Sequence, residues 1–462
     1  MKNMFTNCLE RVRHHDFIIE TTKIVAIRGS LIEAIRPQTR LSEKTIDGYP
    51  KHTSAELTIQ LGSQCTIVSE QNPPILGEVI AMKDDRLSIM AMEATTELPL
   101  HASIRFPKRG QSYTVGVGPA LMGRVIDGLG RPIDGKGPII TTEARPLFRR
   151  APHVLTRKAI DTPLATGVRS IDSMLTVGKG QRIGIFAGTG VGKSTLLSMI
   201  SRHSDSDVAI AALIGERGRE VKDFIENGLG QSGLKKAIVI VSSPDDPPLK
   251  RVRAAYTATT IGEYFRDRGQ SVVLIVDSLT RLAYAQREIG LLRQEPPVSR
   301  GYPPSVFSVL NELLERAGNN EHGFLTAFYN VLVEGDDLDE PISDAIRGVL
   351  DGHIVLARKL AESGHFPAID IPKSISRLMH HLNDATQITA AQKLRSWIAR
   401  YQEMEDLINI GAYIKGNDPL LDLAVNHQNA WKNFLMQKAN EGYDLKKSQN
   451  DLLTLCLAES KD

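Results

Sequence analysis

The stretch Arg182–Thr195 reads RIGIFAGTGVGKST. Ile183, Ile185 and Ala187 alternate toward one face and lead into a turn containing Gly188, Gly190 and Gly192. Lys193, Ser194 and Thr195 then open an apolar run, Leu196, Leu197, Met199 and Ile200. The pattern is strand, loop, helix. In that setting the backbone N–H groups of Gly188, Thr189, Gly190, Val191 and Gly192 can converge on anionic oxygens. The helix N-terminus adds a partial positive charge and Lys193 a full one. Ser194 offers a hydroxyl to the magnesium ion that accompanies a triphosphate, with Thr195 in the same phosphate-facing turn. Ala187 stands where the motif usually begins with glycine, a mild departure because the three glycines nearest the lysine remain.

Outward from this loop, residues from about Pro163 to Ile371 alternate strand and helix. Apolar strands are expected at Val208–Ile214, Ala237–Ser242, Val272–Asp277, Phe324–Val331 and His353–Ala357, with helices at Val221–Leu229, Lys250–Arg268 and Val306–Ala317. Continuous apolar strands separated by helices predict a parallel sheet covered on both faces, with ligands at the carboxyl ends of its strands. Two strand ends carry acids. Val272–Asp277 ends in Asp277, placed to orient the water shell of magnesium; its plain alternative is a helix N-cap. Ala209–Glu220 contains Glu216, able to polarise an attacking water, followed by Arg217, able to read phosphate charge. The plain alternative for Glu216 is a surface ion pair with a neighbouring arginine.

On the N-terminal side, Met4, Phe5, Cys8, Leu9 and Val12 suggest a short amphipathic helix within 1–18, which needs a partner, a membrane surface or its own first domain to hold it. Six short strands, Lys23–Ile27, Ser30–Ile35, Ala55–Leu61, Cys65–Ser69, Ile75–Met82 and Arg86–Met92, predict a small closed barrel over 19–112. That barrel offers only Tyr49, Phe106 and Tyr113 as aromatics near its margins, which argues against a nucleic-acid platform. Leu121–Ile139, crowded with Asp-Gly and Gly-Arg-Pro turns, reads as a connector, part of a longer one over 113–162. The tail 378–462 reads as helical. Leu394, Trp397, Ile398, Tyr401, Met404, Leu407 and Ile408 keep helical spacing up to Gly411 and Gly416, and Asp418-Pro419 starts another helix. The aromatics there are expected in the core.

At 462 residues the chain is expected to hold two to four domains. Its 56 basic and 54 acidic residues give no broad electrostatic case for nucleic acid. Cys8, Cys65 and Cys456 lack metal-ligand spacing and fit free thiols in a reducing compartment. No apolar run reaches the roughly 18 residues of a membrane helix, and Met1–Phe17 lacks a signal-peptide core. A cytoplasmic location is expected.

With these residues in view, the chain resembles the type III export ATPases, relatives of the rotary ATP synthase catalytic subunits. The resemblance runs from about Gly123 to Gln437 on GRVIDGLGRPIDGKGP, GIFAGTGVGKST, GERGREVKDFIE, RAAYTATTIGEYFRDRG, DSLTRLAYAQREIG, RGYPPSVFSVL and GHFPAIDIPKSISR. It implies a multidomain fold: an N-terminal small β-barrel, a central RecA-like α/β P-loop NTPase domain over 113–377 and a C-terminal α-helical domain. SISR at Ser374–Arg377 and the block Ile408–Asp422 look more like the flagellar branch than the virulence-secretion branch. By position the resemblance makes Lys193 and Ser194 the phosphate and magnesium contacts, Glu216 the water-orienting carboxylate, Arg217 a phosphate sensor and Asp277 the magnesium-side acid. It further makes Phe366 the aromatic packed on adenine and Arg377 a finger reaching a neighbouring subunit's site. The plain alternative for Phe366 is a core aromatic, and from sequence alone Arg377 reads first as an ordinary ion-paired residue, which only the resemblance reverses.

The implied activity is magnesium-dependent ATP hydrolysis in a homohexamer. The implied partners are a coiled-coil stalk protein in the pore, a regulator at the N-terminal segment, chaperone–substrate complexes at the helical domain and an export gate at the inner membrane, with no nucleic acid. Two places depart from the family pattern, Arg293-Gln294-Glu295 and Lys250-Arg251-Val252-Arg253, and both lie outside the phosphate site. Three other classes stay in view: a hexameric RNA translocase, a non-catalytic rotary subunit, which would lack a carboxylate at position 216, and proton-driven ATP synthesis.

Overall fold

The computed structural model describes residues 20–37, 59–107, 113–333 and 339–457. The expected 1–18 segment and Tyr49 lie outside these residues. Alternating side chains build the first unit. Strands β1 (Glu20–Arg28), β2 (Leu31–Ile35), β3 (Gln64–Val68), β4 (Ile75–Lys83), β5 (Arg86–Ala91) and β6 (Ser103–Phe106) form a closed antiparallel barrel in the order β1-β2-β5-β4-β3-β6. Ile32, Ala34, Ile67, Leu87, Ile89 and Ile104 point into it.

One expected strand is corrected. Ile59–Leu61 form no strand and 55–58 lie outside the described residues; β6 closes the barrel instead. Ala102, Ile104 and Phe106 do alternate inward, but the run is only four residues long and stops at Pro107, so its period-two signal is brief. Phe106 is inside the barrel, and Tyr113 is buried with its hydroxyl donating to the Gly77 carbonyl at 3.1 Å. Neither presents a face to a base.

After an antiparallel ribbon of β7 (Thr114–Val117) with a later strand, the stretch expected as connector departs from expectation. Its β8 (Val125–Asp127) pairs in parallel at the edge of the main sheet. Ile126 is covered by the core and the Arg124–Asp134 ion pair at 2.7 Å pins the turn that follows, so three residues suffice. The ribbon is completed by β9 (Glu143–Pro146), and a second small ribbon by β10 (Pro163–Leu164) and β11 (Val177–Gly178).

The main sheet adds β12 (Arg182–Ala187), β13 (Val208–Ile214), β14 (Ala237–Ser242), β15 (Ser271–Asp277), β16 (Phe324–Leu332), β17 (Gly352–Leu356) and β18 (Ile375–Ser376). Its order is β18-β17-β12-β16-β15-β13-β14-β8, and only β18 runs antiparallel. Both faces are covered, as VAIAALI in β13 shows. Ile210, Ala212 and Ile214 join a core with helices Pro248–Arg266, Leu279–Leu292 and Pro304–Arg316. Ala209, Ala211 and Leu213 join another with helix Lys193–His203 and the C-terminal helices.

The helix expected at Val221–Leu229 is α only over Gly218–Asp223 and turns π over Phe224–Leu229. Gly228 there lies so close to the phosphate-loop helix that a Cβ would sit 2.8 Å from that of Ser198. The C-terminal helix Ala385–Asn409 starts at Asp384, whose carboxylate accepts the Gln387 N–H at 2.8 Å. Its apolar stripe is buried through Leu394, Trp397, Ile398 and Tyr401, whereas Leu407 is 42% exposed because the helix outruns the core beneath it. Asp418 caps Pro419–Asn426 as expected, accepting from Leu420 and Leu421 at 3.0 Å each.

The basic departures have intrachain roles. Lys250 pairs with Asp246 at 3.0 Å and Arg251 with Glu288 at 3.0 Å. Arg253, fully buried, contacts the Glu78 carboxylate of β4, its guanidinium lying 4.1 Å over the Tyr113 ring and 4.2 Å over that of Phe148. Arg293 approaches the same carboxylate at 3.9 Å. Barrel and nucleotide domain are thus joined by a desolvated charge pair. Removing one partner strands the other, so Arg253→Ala is expected to destabilise the chain by about 3–5 kcal/mol. Replacing both Glu78 and Arg253 by leucine should recover much of that loss, read from urea unfolding of the barrel.

Candidate active site

The loop after β12 turns twice through positive φ, at Gly190 (79°) and Gly192 (89°), before helix Lys193–His203 begins. Gly192 is constrained by more than its dihedral, because a Cβ there would come within 3.2 Å of the Phe366 ring. Lys193 reaches under the loop: its Nζ donates to Asp277 Oδ1 at 2.8 Å and to Glu216 Oε1 at 3.3 Å. Both acids are buried where they leave their strands, Asp277 at the end of β15 and Glu216 two residues past β13. The N-cap alternative for Asp277 fails, since Ser278 caps the following helix by accepting the Arg281 N–H. The surface-pair alternative for Glu216 fails too, because among the described residues its cation partner is the largely buried Lys193 and not an arginine.

Burial opposes the Lys193 charge, but Asp277 and Glu216 outweigh it and hold the ammonium above the usual lysine value. Glu216 is raised as well, which for a carboxylate favours the neutral form. Burial, then the charge of Asp277, push it up to about 7 against a partial pull from Lys193. A carboxylate with that affinity for a proton is a better base than a solvated glutamate. Only its ionised form can take a proton from water, so kcat/KM for ATP should fall about tenfold per pH unit below about pH 7. An acid limb near 4.5 instead would contradict this assignment.

Asn330, on β16 between β12 and β15, donates from Nδ2 to Asp277 Oδ1 at 2.7 Å, while its own Oδ1 is buried without a hydrogen-bond partner. The sequence reading missed it, since a lone polar residue in FLTAFYNVL carries no spacing signal. A carboxylate, an open amide oxygen and the Ser194 hydroxyl in the adjoining first helical turn form a hard-oxygen donor set that fits a hydrated magnesium ion. Arg217 is exposed at the start of the next helix.

Beside the loop opens a cavity of about 700 Å³ lined by Gly192, Thr195, Leu196, Phe366 and Tyr443. Phe366 is 43% exposed here, a ring offered to the cavity rather than core. The C-terminal helices hold this wall. Arg169 donates to the carbonyls of Asn433, Phe434 and Met436, and the Gln437 N–H donates to the Phe366 carbonyl at 2.9 Å.

Residues 167–376 match the nucleotide-binding domain of the ATP synthase alpha/beta family, and 383–454 match the T3SS EscN ATPase C-terminal domain. The flagellum-specific ATP synthase of Bacillus subtilis is 49% identical over 86% of this chain and 90% of its own. The chain belongs to the type III export ATPases. The type 3 secretion system ATPase of Sinorhizobium fredii is 45% identical over 92% of this export ATPase and 90% of its own length. The assembled ATPase EscN of enteropathogenic E. coli superposes with a TM-score of 0.84 at 42% identity, over 94% of this chain and all of that one. As a member of this family the protein is an ATP hydrolase.

One expected site residue of the export ATPase stands apart. Arg377 follows β18, which pairs with the start of β17 next to Arg182, the first residue of β12. The phosphate loop leaves the other end of β12, about 20 Å away at some 3.3 Å per residue. Arg377 is exposed, and its guanidinium donates to the Arg347 carbonyl at 3.5 Å. It does not join Lys193 within one chain. Among the described residues, no helix is long and apolar enough to cross a membrane.

Proposed function

We propose that this chain cleaves ATP by in-line attack of a water held by Glu216 on the γ-phosphate, to energise the unloading and feeding of protein substrates in flagellar type III export. The convergence of Lys193, Glu216 and Asp277 beneath the glycine loop carries the reading. The N–H groups of 188–192 and Lys193 bind the phosphates, Phe366 packs on adenine, and Arg217 senses phosphate charge. Ser194 and Asp277, with Asn330, hold magnesium, which when bound neutralises charge on the phosphate oxygens. Glu216 receives the proton of the attacking water.

The solved relative is described as assembled, and a second as in complex with its central stalk EscO, with a TM-score of 0.82. We extend both to this chain as a homohexamer with a stalk in its pore. The 1–18 segment then takes a regulator, the 378–462 domain takes chaperone–substrate complexes, and the assembly sits peripherally at the inner-membrane export gate. SISR and INIGAYIKGNDPLLD favour the flagellar branch. Purified protein should release phosphate from magnesium ATP, and a strain lacking the chain should lose filaments but keep virulence-type secretion. No hydrolysis at any protein concentration overturns the enzymatic reading. Intact filaments overturn the branch.

A further inference from the structure

The loop that carries Phe366 has two sides. Gly364, Phe366 and Pro367 line the nucleotide cavity, whereas Ser363 and His365 line a second cavity of about 410 Å³ behind it, and Met436 borders both. The second cavity lies between β17's end and the C-terminal helices, walled by Ile371, Ile398, Leu435 and the rings of Tyr401 and Trp431. Its size is that of a small-molecule site.

Its charges are uneven. Lys359 is paired with Glu405 at 2.5 Å and Lys373 with Asp370 at 3.5 Å. Lys432 has no carboxylate partner among the described residues; its ammonium lies 5.2 Å from the Tyr401 ring centre and 5.7 Å from that of Trp431. His365 is 7% exposed, and among the described residues nothing hydrogen-bonds its imidazole. Burial first, then the nearby Lys432, hold that imidazole below the usual histidine value, so it adds no compensating or competing charge near neutrality. An apolar chamber is left with one unmatched positive charge and one uncommitted buried polar ring. The ring nitrogens of His365 are not among the sealed, unpartnered atoms of the described residues, so they open onto the cavity, where a ligand can bond them.

We propose that this cavity binds a small monocarboxylate bearing an apolar chain or ring, its head group on Lys432 and His365 and its tail against Ile371, Ile398 and Leu435. Occupancy presses on the loop whose opposite side carries Phe366, so it changes nucleotide affinity. That second part rests on the nucleotide reading above; the first does not.

Octanoate is the probe. Titrated into the full chain without nucleotide and followed by calorimetry and tryptophan fluorescence, it should bind saturably at one site per chain. Octanol and octylamine should bind at least about tenfold more weakly, and Lys432→Gln should abolish the preference for octanoate over octanol. Absence of saturable binding, equal affinity for octanol, or a preference that survives in Lys432→Gln overturns the site. With octanoate saturating, the dissociation constant of a fluorescent ATP analogue should shift at least about fivefold. An unchanged constant overturns the coupling, and a chain that binds octanoate but no nucleotide speaks against the ATPase reading instead.

Discussion

Mixing two inactive variants, Arg377→Ala and Lys193→Ala, is expected to restore ATP hydrolysis. Alone, the Arg377→Ala chain should lose roughly 10³–10⁵ in turnover, the contribution of an arginine that meets transferring phosphate. The Lys193→Ala chain loses the ammonium that Asp277 and Glu216 hold in place. Because Arg377 lies at the end of the sheet opposite its own phosphate loop, the finger role expected of it requires a neighbour's site. In a ring assembled from equal amounts of both variants, about a quarter of the interfaces combine an intact loop with an intact finger. Phosphate release should then recover to a comparable fraction of the parent rate and increase with protein concentration. Turnover of Arg377→Ala equal to the parent's, or a mixture as inactive as its parts, would refute a site shared between subunits.

Glu216→Gln should lower kcat by about 10²–10⁴ while leaving nucleotide binding within a few-fold of the parent. The amide keeps the shape and a hydrogen bond to water but cannot accept its proton. The substitution also removes a buried carboxylate whose ionisation is disfavoured by burial and by Asp277, so the folded chain should not be weakened. Binding of a fluorescent ATP analogue and single-turnover phosphate release separate the two effects. A variant that hydrolyses ATP at the parent's rate would remove Glu216 from the role of catalytic carboxylate.

The sequence carried the central sheet and the phosphate loop because both follow from short-range patterning. A strand buried on both faces must be apolar throughout, and VAIAALI and SVVLIVD are. A loop that wraps phosphate needs glycine where φ is positive, and Gly190 and Gly192 are such positions. Asp277 and Glu216 were legible because strand ends are where such sheets place chemistry. What depended on packing was less visible. β8 is a strand only because the edge of the sheet accepts it, and β6 is too short to announce itself outside the barrel it closes. Arg253 read as a departure in a basic run, and only its burial against Glu78 shows that it fastens two domains.

The order of residues along the chain thus determined that a triphosphate-binding loop exists, which acids stand at neighbouring strand tips, and which family the chain joins, since each rests on contacts between near neighbours or on a stretch of motif. Tertiary structure alone decided that Asn330 stands between those acids and the loop, that Phe366 faces a cavity rather than the core, and that Arg377 points away from its own site. These are relations between segments far apart in the chain, and no local pattern of side chains encodes a distance across a sheet.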